Sequence, residues 1–104
     1  MIVRVWTGRA LEENAEEYRR QFAEVYLPRF RAIDGFHGCE VLERVHNNRV
    51  EFIVISRWDS MDAINEYTGH GRAEHAVLEQ ETREALEAYD ERVKHYVLVL
   101  EERR

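Results

Sequence analysis

The chain has 104 residues, 15 basic and 21 acidic side chains and a net charge of −6, so it is sized for one domain, residues 1–104, and has the wrong sign for nucleic acid or an anionic membrane surface. Both partners call for clustered cations, and here a single lysine, Lys94, accompanies arginines scattered among glutamates. Cys39 is the only cysteine, which excludes an intrachain disulfide, and no apolar run has signal-peptide or transmembrane character, so a soluble cytoplasmic protein is expected.

Ile2–Thr7, with Val3, Val5 and Trp6, predicts a first strand ending at Gly8. From Leu11 the period changes. Leu11, Ala15, Tyr18, Phe22, Tyr26, Phe30 and Ile33 recur at three- and four-residue steps, which sets them on one face of a long helix. Pro28 lacks an N–H and its ring crowds the carbonyl of Glu24, so the helix is expected to kink there or to end and restart. Asp34-Gly35 closes it, with Gly35 in the left-handed conformation.

Phe36–His46 and Arg49–Trp58 read as strands joined by Asn47-Asn48, residues that tolerate positive φ in a two-residue hairpin. That loop length sets Val45 opposite Val50, Arg44 opposite Glu51, Leu42 opposite Ile53, Val41 opposite Val54 and Cys39 opposite Ser56. The register matches opposite charges and apolar partners, whereas a one-residue slip does not. Phe52, Ile53, Val54 and Ile55 fill both faces of the third strand, which places it inside the sheet with both sides covered. Asp59 or Ser60 caps a helix over Met61–Thr68. Gly69-His70-Gly71 interrupts it, and Ala73–Leu78 is expected to restart as a short helix or turn. Leu78, Thr82, Ala85, Leu86 and Tyr89 extend a helical stripe to about Asp90, and Val93–Leu100 is the last strand, before a frayed tail, Glu101–Arg104.

This order predicts an α+β, ferredoxin-like split βαβ fold: a four-stranded antiparallel sheet with helices on one face. The other face of such a monomer meets water, yet the third and fourth strands are apolar on both faces. Roughly eight such side chains, at about 1.5–3 kcal/mol each, leave on the order of 10 kcal/mol of unfavourable exposure, enough to favour association. A homodimer packed sheet to sheet is expected.

Four segments, Tyr18–Gly38, Glu51–Gly69, Glu74–Leu86 and Tyr89–Val99, together resemble the antibiotic biosynthesis monooxygenase-like family over nearly the whole chain. The most telling piece is the strand that ends in Trp58 and passes through Ser60 into a helix. The resemblance implies a dimeric α+β barrel of two ferredoxin-like subunits. It also implies a range of activities, from oxygenases that convert hydroquinone- or anthrone-type aromatics to quinones without metal or flavin, to enzymes that bind and degrade haem. Haem-degrading relatives place Asn on the first strand, Trp on the helix after the third strand, and His one or two turns further on. This chain has Trp6 and Thr7, then Tyr67, then His75 near those places, so two of three depart and the expected cofactor is none rather than haem.

Among candidate residues, His75 has a side chain whose pKa lies near neutrality, suited to taking a proton from a phenol or to binding haem iron, and it reads equally well as a surface histidine between Glu74 and Ala76. Tyr67 is the other candidate for assisting deprotonation. Trp6, Phe22, Tyr26, Phe52 and Trp58 offer flat surfaces for an aromatic ligand, with His70 at the mouth; the plainer reading makes Trp58 core and His70 part of a turn. The five histidines form no H-x-H, no i,i+4 pair and no H-E-x-x-H, so no metal site is expected. Cys39 is expected to be buried and inert. The leading expectation is a small cofactor-independent monooxygenase acting on an electron-rich aromatic. The alternatives are a non-catalytic dimer that binds a small aromatic molecule, and a haem-binding relative.

Overall fold

β3 (Arg49–Trp58) lies inside an antiparallel sheet, between β2 (Phe36–His46) and β1 (Ile2–Leu11), in the computed structural model, which describes residues 1–104. β1 also pairs with two short strands, β4 (Ala88–Tyr89) and β5 (Lys94–Val97), giving the order β2-β3-β1-β4 with β5 on β1 as well. The α+β ferredoxin-like arrangement is as expected, with five strands in place of four because Ala88–Tyr89, expected to be helical, adds a short strand to β1.

β1 runs past Gly8 because Arg9, Ala10 and Leu11 pair with Glu51, Val50 and Arg49. Gly8 does not end the strand. The ring of Trp6 lies across it, and a Cβ there would stand 2.3 Å from Trp6 Cη2, so glycine admits a close approach. Leu11 therefore belongs to the strand. A 3-10 turn, Glu12–Asn14, leads into α1 (Ala15–Gln21), a π turn (Phe22–Tyr26) and α2 (Leu27–Arg31) without interruption.

Pro28 neither ends nor restarts this helical stretch. The N–H of Leu27 reaches back to the carbonyl of Phe22, one residue further than an α-helical bond, and the wider turn accommodates the proline that follows. The same turn preserves the aromatic stripe. Side chains four apart advance about 40° beyond a full α-helical turn, and an underwound π turn takes part of that drift back. Tyr18, Phe22, Tyr26 and Phe30 all remain buried. Gly35 does not adopt the left-handed conformation expected of it. It lets the chain cross α3 (Met61–Thr68): a Cβ at Gly35 would lie 2.5 Å from that of Ala63, and its carbonyl accepts the Asp59 N–H at 2.8 Å.

The β2–β3 hairpin has the expected register at every pair named above, and Asn47 and Asn48 turn it with φ of 51° and 64°. Ser60, rather than Asp59, caps α3 by accepting the Ala63 N–H at 3.2 Å.

The C-terminal third departs furthest from expectation. Of the helix or turn expected over Ala73–Leu78, only a turn at Ala73 and Glu74 forms, closed by His75 N–H on Arg72 O at 3.0 Å. The segment is otherwise irregular chain, bridged to Arg92 at His75 and tied by Ala76 N–H to Glu91 O at 2.9 Å and by Val93 N–H to Glu74 O at 2.9 Å. α4 spans only Gln80–Ala85, and Leu86 is already extended, with ψ of 141°. The open edge of β1 explains the early stop. Glu87 N–H donates to Arg9 O at 2.8 Å and Asp90 N–H to Thr7 O at 2.9 Å, so satisfying an otherwise bare edge outweighs helix propensity. The last strand is also shorter than Val93–Leu100. Leu98 N–H donates to Met1 O at 3.0 Å, and Val99 and Leu100 run on 89% and 83% exposed.

Alternation along β1 and β3 separates two faces of the sheet. Arg4, Trp6 and Ala10, with Val50, Phe52, Val54, Ser56 and Trp58, are buried beneath the helices. Val3, Val5, Ile53 and Ile55 occupy the other face and are half-buried. No helix is long and apolar enough to cross a membrane.

Candidate functional site

The inner face of the sheet is not sealed everywhere. Between it and the helices lies a cavity of about 50 Å³. Its floor is Arg4, Trp6, Val54 and Ser56; its walls are the stripe of Tyr18, Phe22, Tyr26 and Phe30, together with Tyr67 from α3; Ala76, Val77, Leu78 and Val93 close it. The volume holds a few waters, far less than an aromatic ligand needs. Admission of such a ligand therefore requires the lining to move apart, and the segment Ala76–Leu78, with Val93, is the part of it that lies outside helix and sheet. Gly69 and Gly71, with φ of 96° and 78°, precede that segment.

The aromatic walls support one another. Trp6 stacks on Tyr18 with centroids 6.0 Å apart, Phe22 on Tyr26 at 6.1 Å, and Phe30 meets Tyr67 edge-on at 4.7 Å. Trp6 Nε1 donates to Asp90 O at 2.9 Å, which fixes the indole against the turn after β4. Tyr26 is committed to structure: its hydroxyl accepts the Glu79 N–H at 2.8 Å and lies 2.7 Å from Thr82 Oγ1, which donates to Gln21 Oε1 at 2.6 Å. Because Thr82 spends its proton on Gln21, Tyr26 is the donor to Thr82. This chain holds α4 and the residues before it onto α1.

Polar groups are few on the cavity surface. Ser56 Oγ accepts from Trp58 Nε1 at 2.8 Å, leaving the hydroxyl proton of Ser56 free to donate. Burial pushes the Tyr67 phenol up to about 12, against an opposing pull from Arg4, and burial also raises that of Tyr18. Both tyrosines are protonated donors at neutral pH, so Tyr67 is suited to stabilising an anion rather than to removing a proton. Arg4 Cζ lies 5.9 Å from the Tyr67 ring centroid.

Of the residues expected at a site, Trp6, Phe22, Tyr26 and Tyr67 lie on this cavity. Phe52 and Trp58 do not: both are fully buried in the core, Phe52 beneath Tyr18 and Trp58 between Phe36 and Tyr67. His75 is exposed and contributes its backbone carbonyl, not its ring, to the interior, and His70 is exposed in the turn between the glycines. No three His, Cys, Asp or Glu side chains are placed to share a metal ion. Cys39 is half-buried rather than buried, and burial raises its thiol pKa. Sequence reasoning passed over Arg4 and Ser56. Their signal was positional, since both are polar residues in the inward phase of strands whose other inward members are apolar.

A family model described as antibiotic biosynthesis monooxygenase matches residues 1–79. No curated protein matches the chain. Among solved structures, an antibiotic biosynthesis monooxygenase assignment from Deinococcus radiodurans is 17% identical, covers 100% of this chain and 98% of that one, and superposes with a TM-score of 0.67. A dimeric ferredoxin-like protein from an uncultured marine organism is 16% identical over 99% of this chain and 91% of that one, with a TM-score of 0.64. The haem degrader MhuD of Mycobacterium tuberculosis, with two haems in its active site, is 18% identical over 97% and 98%, with a TM-score of 0.57. At these identities the likeness to solved structures speaks for the fold.

Proposed function

The chain belongs to the antibiotic biosynthesis monooxygenase family, and we propose that it is a cofactor-independent monooxygenase whose substrate is an electron-rich aromatic of hydroquinone or anthrone type. The observation that carries this reading is the cavity itself, walled by Trp6, Tyr18, Phe22, Tyr26, Phe30 and Tyr67 and free of carboxylates and thiols. For an anthrone the balance closes without an added reductant. The ring methylene gives up a proton to solvent, and the resulting enolate passes one electron to dioxygen. The radical pair then joins at carbon as a peroxide, which takes back a proton and loses water, leaving a carbonyl. Tyr67 donates a hydrogen bond to the enolate oxygen, and the aromatic walls exclude water from the radical pair. His75, outside the cavity, is given no step.

Haem does not suit these walls. No histidine or cysteine lines the cavity, so an iron would find neither an imidazole nor a thiolate as axial ligand there. The same lack of a titratable base favours one second reading, a non-catalytic protein that binds a small aromatic molecule. Oxygen uptake across hydroquinones, naphthols and anthrones separates the two. The monooxygenase reading expects uptake that falls in Tyr67→Phe; melting shifts with ligands but no uptake supports the binder.

We propose further that the protein is a homodimer, with the outer sheet face packed on its counterpart. Val3, Val5, Ile53 and Ile55 stand there half-buried, next to Leu42 and Tyr96, 46% and 52% exposed. A monomer in sedimentation at micromolar concentration counts against it.

A further inference from the structure

Arg4 is 5% exposed, yet no carboxylate pairs with it. Nη1 donates to Ala73 O at 3.2 Å and Nη2 to Ala73's near neighbour His75 O at 2.9 Å, both neutral backbone acceptors. A guanidinium has five N–H donors, so most of its capacity is unspent. Ser56 from β3, His95 from β5 and Tyr67 from α3 face it without a carboxylate, and Glu74, between its two carbonyl partners, is exposed and paired with Arg92 at 3.3 Å. Burial lowers its pKa to about 10, which still leaves it a cation at neutral pH. An isolated buried cation is costly unless something offsets it. A second unmet group lies in the same corner of the sheet. Nε2 of His95, across the β1–β5 pairing from Arg4, is buried without a hydrogen-bond partner, and burial followed by the charge of Arg4, against an opposing pull from Glu74, lowers the His95 pKa.

We infer that Arg4 is the receptor for an anionic oxygen of the ligand, and that the cavity takes aromatic anions, carboxylates or acidic phenolates, in preference to neutral aromatics of the same shape. The inference rests on the reading that this cavity is the ligand site, and it narrows the substrate class. The planar fork of arginine matches a delocalised oxyanion, and the flat walls beside it match the ring that carries one. Its bonds to Ala73 and His75 hold the segment that closes the cavity. An arriving anion therefore competes with those carbonyls for the same donors, and entry of the ligand and release of the segment become one event.

The test uses the whole protein and matched probes: 2-naphthoate against its neutral isostere 2-naphthamide for the carboxylate source, and 4-nitrophenol, whose coloured anion reports its protonation, for the phenolate source. Wild-type protein is expected to bind naphthoate about tenfold more tightly than naphthamide, as one charge-assisted contact supplies, or to lower the apparent pKa of bound 4-nitrophenol. The first result identifies a carboxylate ligand and the second a phenolate. Arg4→Gln is expected to remove the preference, and Arg4→Lys to keep part of it. A role confined to holding the loop predicts that Arg4→Gln weakens acid and amide equally, which overturns the inference. So does a wild type that binds neither probe or shows no preference, a result that needs no variant to fold. An Arg4-dependent preference without oxygen uptake from any phenol would sink the monooxygenase reading and leave this inference standing.

Discussion

Phe52 and Ile53 are consecutive residues of β3 in opposite circumstances. Phe52 is fully buried, its ring centroid 4.4 Å from that of Tyr18. Ile53 points to the other face between Thr7 and Leu42 and is half-buried. The inner face is completed by its own chain except at the cavity, where a buried cation lacks an anion. The outer face is left incomplete along its whole apolar stretch. Two different features thus sit back to back on one sheet, a buried cation without an anion on the inner face and a half-buried apolar surface on the outer one.

That contrast sets the size of what each face loses on mutation. Phe52→Ala is expected to lower unfolding stability by about 3–5 kcal/mol, since the cavity it leaves is sealed on every side; urea unfolding measures it, and a loss under about 1 kcal/mol would show Phe52 to be less tightly packed than described. Ile53→Asp is expected to act on assembly, turning a sedimenting dimer into a monomer and removing the dependence of melting temperature on protein concentration. A dimer that survives this substitution places the interface elsewhere.

The hairpin register was legible because a two-residue Asn-Asn connection leaves one way to pair Arg44 with Glu51 and Leu42 with Ile53. The helical stripe was legible too, but not the π turn that lets Pro28 follow it, since a hydrogen bond from Leu27 to Phe22 leaves no mark in residue type. β4 was hidden for another reason. Leu86 and Tyr89 suit a helix, and only the bare edge of β1, nearly eighty residues earlier in the chain, draws Ala88 and Tyr89 into a strand. Aromatic supply pointed to Trp6, Phe22, Tyr26 and Tyr67, which line the cavity, and equally to Phe52 and Trp58, which are core. Family spacing drew attention to His75, whose ring lies outside. Arg4 was readable in principle, as a charge in phase with Trp6.

A smaller effect comes from the cavity tyrosine. Burial raises Tyr67 from 10.0 to about 12, so the unfolded chain ionises first as pH rises; this contribution to stability is full below pH 10 and is lost on the way to pH 12. Arg4 works in the opposite sense, because its pKa is lowered from 12.5 to about 10 and its folded-state penalty lifts as pH passes through that range. Tyr67→Phe is therefore expected to keep its melting temperature above pH 10 better than wild type does, and parallel curves contradict this. Smallest of all is the outer rim. Arg92 and Glu74 pair at 3.3 Å with 72% and 69% of their side chains exposed, and Arg92→Ala is expected to change stability by less than about 0.5 kcal/mol in chemical denaturation.

The central claim, that the inner cavity brings an electron-rich aromatic and dioxygen together without a cofactor, is tested most directly by mass spectrometry of the product formed from an anthrone under heavy-isotope dioxygen. The account predicts one heavy oxygen in the new carbonyl, formed by purified protein alone and reduced in Tyr67→Phe. Product formed no faster than without protein, or carrying its new oxygen from water, would contradict it.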